Sequence, residues 1–138
     1  MAGTPVKTPL EQLADHEAGH ATVALALGVA VASIQLYRRP EGGFVGVTLL
    51  QDGPRPPLLV CAAISWGGYL ASPFTNAEHD YVYLRSIGHC DNEGPAIELA
   101  EQTYHAHVGL HRQLADALCR EYRLDGAQLA ELIGPVSL

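Results

Sequence analysis

The stretch "LADHEAGHATVALALG", residues 13–28, sets two histidines around a glutamate in an otherwise apolar segment. On a helix of 3.6 residues per turn, one stripe holds apolar residues together with both histidines: Leu13, His16, His20, Ala24 and Leu27. Because an apolar stripe of this kind packs against the core, we expect both histidines on the buried face of the helix.

Sequence signals at both ends predict the bounds of this helix. Thr8 suits the capping position, Pro9 the first turn, and Glu11 the acidic position of a capping box. Gly28 is typical of the residue that follows a helix C-terminus. We therefore predict a helix from about Pro9 to Leu27.

Strand patterns come after the first helix. Residues 31–38 ("VASIQLYR") and 44–50 ("FVGVTLL") flank the turn-forming "RPEGG", which predicts a β-hairpin. Residues 57–71 are almost wholly apolar and predict a second helix, in which Gly67 and Gly68 indicate close approach of a neighbouring backbone.

The C-terminal part is predicted to be helical. Residues 95–122 carry a continuous apolar stripe, which predicts one long helix, and a short final helix is predicted after a cap at Asp125. The fold class is thus mainly α with a small β-hairpin (α+β). We expect residues 1–8 to form a flexible arm and residues 9–138 a single domain.

Composition narrows the functional classes. The 138 residues are 48% hydrophobic, enough for one core, and the formal net charge of -7 without a Lys/Arg run argues against a nucleic-acid partner. No signal-peptide pattern and no apolar run long enough for a membrane span is visible, so we expect a soluble protein.

The cysteines predict the compartment. Cys61, Cys90 and Cys119 are odd in number, far apart and form no C-x-x-C pair, which favours reduced thiols in the cytoplasm. Cys61 and Cys119 are expected to be small core residues. Cys90, in "GHCDN", is kept as an alternative metal ligand or a turn residue.

The pentapeptide H-E-x-x-H has a physical rationale as a metal site. Side chains four apart on a helix lie one above the other, so His16 and His20 can converge on one Zn²⁺ ion. Glu17 is then the candidate general base for a metal-bound water. The alternative is a pair of structural histidines with no metal.

A catalytic zinc needs a third protein ligand, and several remain open. There is no H-E-x-x-H-x-x-G-x-x-H extension, so the ligand must lie elsewhere. A capping signal from Thr75 to Glu78 favours the adjacent pair, His79 and Asp80. The full set of candidates is His79, Asp80, His89, His105, His107 and His111.

The order of elements resembles a known protease domain. "HEAGHATVALALG", "VASIQLYRRPEGGFVGVT", "LLVCAAISWGGYLAS" and "NAEHDYVYL" succeed one another as in the peptidase domain of the FtsH family, the M41 zinc metalloproteases. The resemblance implies that His16, His20 and Asp80 bind zinc and that Glu17 is the base. It also implies that a strand near the site holds extended peptide.

The chain departs from the FtsH pattern at several positions. His79 stands where that family has Asn, which makes it a rival or outer ligand, and Ser72-Pro73 replaces an acidic pair. Neither an ATPase domain nor a P-loop is visible, so a separate ATPase partner is an expectation.

These observations predict a cytoplasmic zinc metallopeptidase that cleaves flexible or partner-delivered polypeptides. The alternatives are a catalytically weak metal-containing binding or regulatory module of the same fold, and an assembly domain with structural histidines. Self-association into a homo-oligomer through the C-terminal helix is a further expectation.

Overall fold

The computed structural model describes residues 7–72 and 93–133 of the chain. The described part is mainly helical with one small antiparallel sheet, which confirms the α+β class. Its helices are α1 (Pro9–Ala26), α2 (Leu58–Ala71), α3 (Glu93–Ala106), α4 (Val108–Glu121) and α5 (Gly126–Ile133). Its strands are β1 (Val31–Arg38), β2 (Phe44–Leu50) and β3 (Arg123–Asp125).

Helix α1 begins and ends at the predicted signals. The Thr8 hydroxyl accepts from Glu11 N at 3.1 Å, and Glu11 Oε1 accepts from Thr8 N at 3.0 Å, forming a capping box. The hydrogen bond from Thr8 N holds the pKa of the Glu11 carboxyl below its usual value. At the other end, Gly28 adopts φ +82°, a left-handed conformation that suits glycine.

Removing the cap is expected to destabilise the protein. We expect Thr8→Ala to lower the free energy of unfolding by about 1 kcal/mol, because buried helix α1 loses its N-terminal hydrogen bond. Urea unfolding measures this change, and Thr8→Ser, which keeps the hydroxyl, is the control. Equal losses of stability in Thr8→Ala and Thr8→Ser would contradict the capping role.

The capping box also makes stability depend on pH. Because the folded-state pKa of Glu11 is lowered, the stability that its carboxylate contributes is present above the unfolded pKa and is lost as pH falls through the folded pKa.

The sheet has the strand order β2-β1-β3, with both pairings antiparallel. Strands β1 and β2 form the predicted hairpin, and Arg38 lies opposite Phe44 next to the turn. Two consecutive glycines with positive φ, Gly42 and Gly43, close that turn. Strand β3 was not predicted, because three residues are too few to show an alternating pattern.

Helix α1 lies at the centre of the described fold. It packs against α2, α4 and the hairpin, while α3 packs mainly against α2. The core is built mostly from small residues of α1 and larger side chains of the sheet and α4. Its largest fully buried hydrophobic side chains are Ile34, Leu114, Leu118 and Leu124 from the sheet and α4, and Val23 from α1. Both histidines of α1 are therefore buried, as predicted.

The prediction of one long C-terminal helix is wrong, because the helix is interrupted at His107, which separates α3 from α4. His107 has φ -131° and ψ 32°, outside the helical region. Its backbone N donates to Tyr104 O at 3.0 Å, while its Nδ1 contacts Thr103 O, the usual intrahelical acceptor, at 2.9 Å. The apolar stripe continues across the break, so periodicity alone did not reveal it.

The short final helix is confirmed as α5. The Asp125 carboxylate accepts from Gln128 N at 2.9 Å, and Gln128 Oε1 accepts from Asp125 N at 2.9 Å. The capping signal at Thr75 and Glu78 lies outside the described residues.

Candidate metal centre

Helix α1 brings the two histidines into direct proximity. His16 and His20 are one turn apart and buried, and their Nε2 atoms are 3.1 Å apart. Their rings meet edge to face with centroids 4.7 Å apart. The reactive nitrogens of both side chains thus converge on one small region inside the protein.

A carbonyl of α2 orients the His20 ring. Nδ1 of His20 is 2.8 Å from the Ile64 carbonyl oxygen, so Nδ1 carries the proton and donates it to that acceptor. In a neutral ring, Nε2 then presents its lone pair toward His16. Such a bond to a backbone carbonyl is the usual outer contact of a metal-binding histidine.

Glycines in α2 permit the approach of the two helices. A Cβ atom at Gly68 would lie 2.5 Å from both Cε1 and Nε2 of His20, and 2.9 Å from His16 O. At Gly67 it would lie 2.6 Å from Cγ2 of Val23. The predicted close backbone approach is therefore confirmed, and it forms the wall behind His20.

Strand β2 holds the carboxylate of Glu17. The Thr48 hydroxyl lies 2.7 Å from Glu17 Oε1 and 3.3 Å from the Glu17 backbone oxygen. A Cβ at Gly46 would be 2.5 Å from Cγ and 2.9 Å from Oε2 of Glu17, so the glycine leaves space for the carboxylate. Sequence reasoning missed Thr48 and Gly46 because their roles arise only when the hairpin packs on α1.

The donor set fits a divalent metal ion. The ligand atoms of His16, Glu17 and His20 all lie within 4.8 Å of one another. Among residues 7–72 and 93–133, no other group of three or more His, Cys, Asp or Glu side chains is arranged to hold a metal ion. Tetrahedral zinc with bonds of about 2.0–2.1 Å separates two nitrogens by about 3.3–3.4 Å. The observed 3.1 Å differs from that by only a few tenths of an ångström.

The described candidates for a third ligand lie elsewhere. Nε2 of His111 is 2.9 Å from the Asp15 carbonyl oxygen, so this buried histidine links α4 to α1. His107 contacts Thr103 O at the helix break, and His105 is exposed. The other predicted candidates lie outside the described residues: His79, Asp80, His89 and Cys90.

The two described cysteines are consistent with packing roles. Cys61 is a free, buried residue of α2. Cys119 is free and half-buried against the core, and burial raises the pKa of its thiol. A raised pKa keeps the thiol protonated and poorly reactive.

A buried H-E-x-x-H helix in a mainly helical α+β fold defines the class: this is a metallopeptidase-type domain. The family follows from a direct comparison, in which the model of the peptidase M50B-like family matches residues 8–78, just over half of the chain. The chain therefore belongs to the peptidase M50B-like family. No curated protein gives a significant match.

The family differs from the one that the order of elements resembles. The match is to an M50-type and not to the M41 (FtsH) family, and it spans α1 to α2 without reaching the C-terminal helices. The H-E-x-x-H motif indicates two histidine metal ligands and a general base on one helix, and several peptidase families share this motif. None of the helices in the described ranges combines the length and apolar character needed to cross a membrane.

Proposed function

We propose that this protein is a zinc-dependent metallopeptidase that hydrolyses peptide bonds in flexible or partner-delivered polypeptides. The observation that supports it best is the convergence of His16, His20 and Glu17 in a buried, pre-oriented group. Burying three titratable side chains next to one another is costly, which favours a role in binding a cation.

Each residue has a distinct role in the proposed reaction. His16 and His20 would hold zinc through their Nε2 atoms, with Asp80 as the third ligand. Bound zinc supplies Lewis acidity for the scissile carbonyl and lowers the pKa of a water molecule. Glu17 accepts a proton from the attacking water and delivers it to the amine leaving group.

The outer edge of β2 is the proposed docking site for the substrate backbone. Arg39 N donates to Gly43 O at 2.9 Å, which makes these two residues a hydrogen-bonded pair. Because hydrogen-bonded pairs recur at every second residue of an antiparallel ladder, the odd-numbered residues of β2 form the hydrogen bonds to β1. Gly46 and Thr48 then direct their backbone N–H and C=O groups outward. No strand within the described part of the chain pairs with that edge, so an extended peptide can add there beside Glu17.

Metal content tests the proposal directly. Plasma mass spectrometry of wild type is expected to find about one zinc per chain, lost in His20→Ala and Asp80→Ala, because each removes a ligand. The exposed His105→Ala is the matched control and should retain the metal. Cleavage of a fluorogenic peptide library should then require zinc and stop on chelation.

Three outcomes contradict different parts of the proposal. Wild type that stays free of metal after zinc reconstitution overturns the metal site. Metal retained in Asp80→Ala overturns the choice of third ligand, for which His79→Ala is the next variant. Bound zinc without cleavage of any library peptide overturns the peptidase and favours a binding module.

A further inference from the structure

Thr48 carries a role that the catalytic motif itself does not include. It lies in β2, and its hydroxyl is 2.7 Å from Glu17 Oε1. The single hydroxyl hydrogen points to that carboxylate oxygen, because the alternative acceptor, the Glu17 backbone oxygen, is more distant at 3.3 Å. We infer that Thr48 is a positioning residue that orients Glu17 for proton transfer, an inference that rests on the proposed peptidase function.

The carboxylate is held from two sides. Thr48 donates to Oε1, while Gly46, two residues earlier on the same face of β2, lies against Oε2 and the side-chain carbons. A Glu side chain has several accessible rotamers, and a fixed base avoids the entropy of ordering it in the transition state. Because Oε1 is engaged in this hydrogen bond, we expect Oε2 to be the oxygen that takes the proton of the attacking water.

The same two residues present the proposed docking edge. The backbone groups of Gly46 and Thr48 face outward from the sheet, whereas the Thr48 hydroxyl faces α1. A change confined to the Thr48 side chain therefore leaves the peptide-pairing backbone in place. Its effect should appear in kcat, with little change in KM, because ground-state binding is retained.

The test compares variants that differ only in the hydroxyl. Thr48→Val is nearly isosteric and removes the donor, so we expect kcat to fall roughly tenfold, with KM within about twofold of wild type and zinc content unchanged. Thr48→Ser keeps the donor and should restore kcat to within about threefold of wild type. Thr48→Ala provides a second variant without the hydroxyl if the valine does not fold.

The matched control is Thr103→Val. The Thr103 hydroxyl donates to Leu99 O at 2.6 Å within α3, so this change removes a comparable hydroxyl that makes no contact with Glu17. We expect wild-type kcat in this control. Equal kcat in Thr48→Val and Thr48→Ser overturns the inference while leaving an active peptidase. Absence of zinc-dependent cleavage in wild type overturns the proposed function, and the positioning role falls with it.

Discussion

Replacing Glu17 by glutamine is expected to lower kcat by about 10²–10⁴-fold, the range that a general base contributes. The change removes the proton acceptor but little else, because an amide has nearly the same shape as a carboxylate. Thr48 can donate to the amide oxygen as it does to Oε1, so the side chain should keep its place. Zinc content should match that of wild type, since His16 and His20 are unchanged.

The measurement is the initial rate of peptide cleavage at saturating substrate, with zinc determined on the same preparation. Glu101→Gln is the matched control, because Glu101 is an exposed residue of α3. Loss of cleavage together with zinc would indicate that Glu17 is itself a ligand. Undiminished cleavage in Glu17→Gln would exclude Glu17 as the base.

The predictable parts of this fold are those with local signals. The capping box at Thr8 and Glu11 and the glycine after α1 determined its bounds, and the apolar stripe placed both histidines on the buried face. The "RPEGG" turn likewise predicted the hairpin. In each case, residues close in the chain determine the conformation.

The features that were not predicted have two physical causes. Some depend on contacts between segments that are distant in the chain, and one depends on a side chain that takes the place of a backbone N–H at a helical carbonyl. The His107 ring takes the acceptor that would otherwise continue the helix, and nothing in the apolar periodicity indicates this. The contact between Thr48 and Glu17 spans 31 positions in the chain. An H-E-x-x-H motif therefore indicates a candidate base from sequence, but not the residue that contacts it.

For the same reason, the H-E-x-x-H motif did not distinguish the FtsH family from the M50B-like family. A pentapeptide specifies where two imidazoles and a carboxylate lie on one helix, and this geometry is independent of the strands and helices later in the chain. The M50B-like match extends to residue 78, so it supports the helix, the hairpin and α2 together. Asp80 lies beyond that match, and its role as third ligand stays a prediction for the metal measurement.

The second large effect is expected at Gly68, where an added methyl group would collide with the ring of His20, a proposed metal ligand. The Cβ of Gly68→Ala would lie 2.5 Å from His20 Nε2 and 2.9 Å from the His16 backbone oxygen. The ring cannot turn away without losing the bond from Nδ1 to Ile64 O. We expect a loss of about 1–3 kcal/mol in the free energy of unfolding and zinc affinity weaker by about 100-fold.

Urea unfolding and competition with a zinc chelator measure these two quantities. Gly109→Ala is the matched control, because the added Cβ meets no atom within 4 Å and alanine favours a helix by up to about 1 kcal/mol. Unchanged zinc affinity in Gly68→Ala would contradict the α1–α2 spacing. Weaker zinc affinity with a nearly unchanged free energy of unfolding would show that the methyl group displaces the His20 ring and not the helix backbone. Gly68 would then be needed for the position of the ring and not for the packing of α1 on α2.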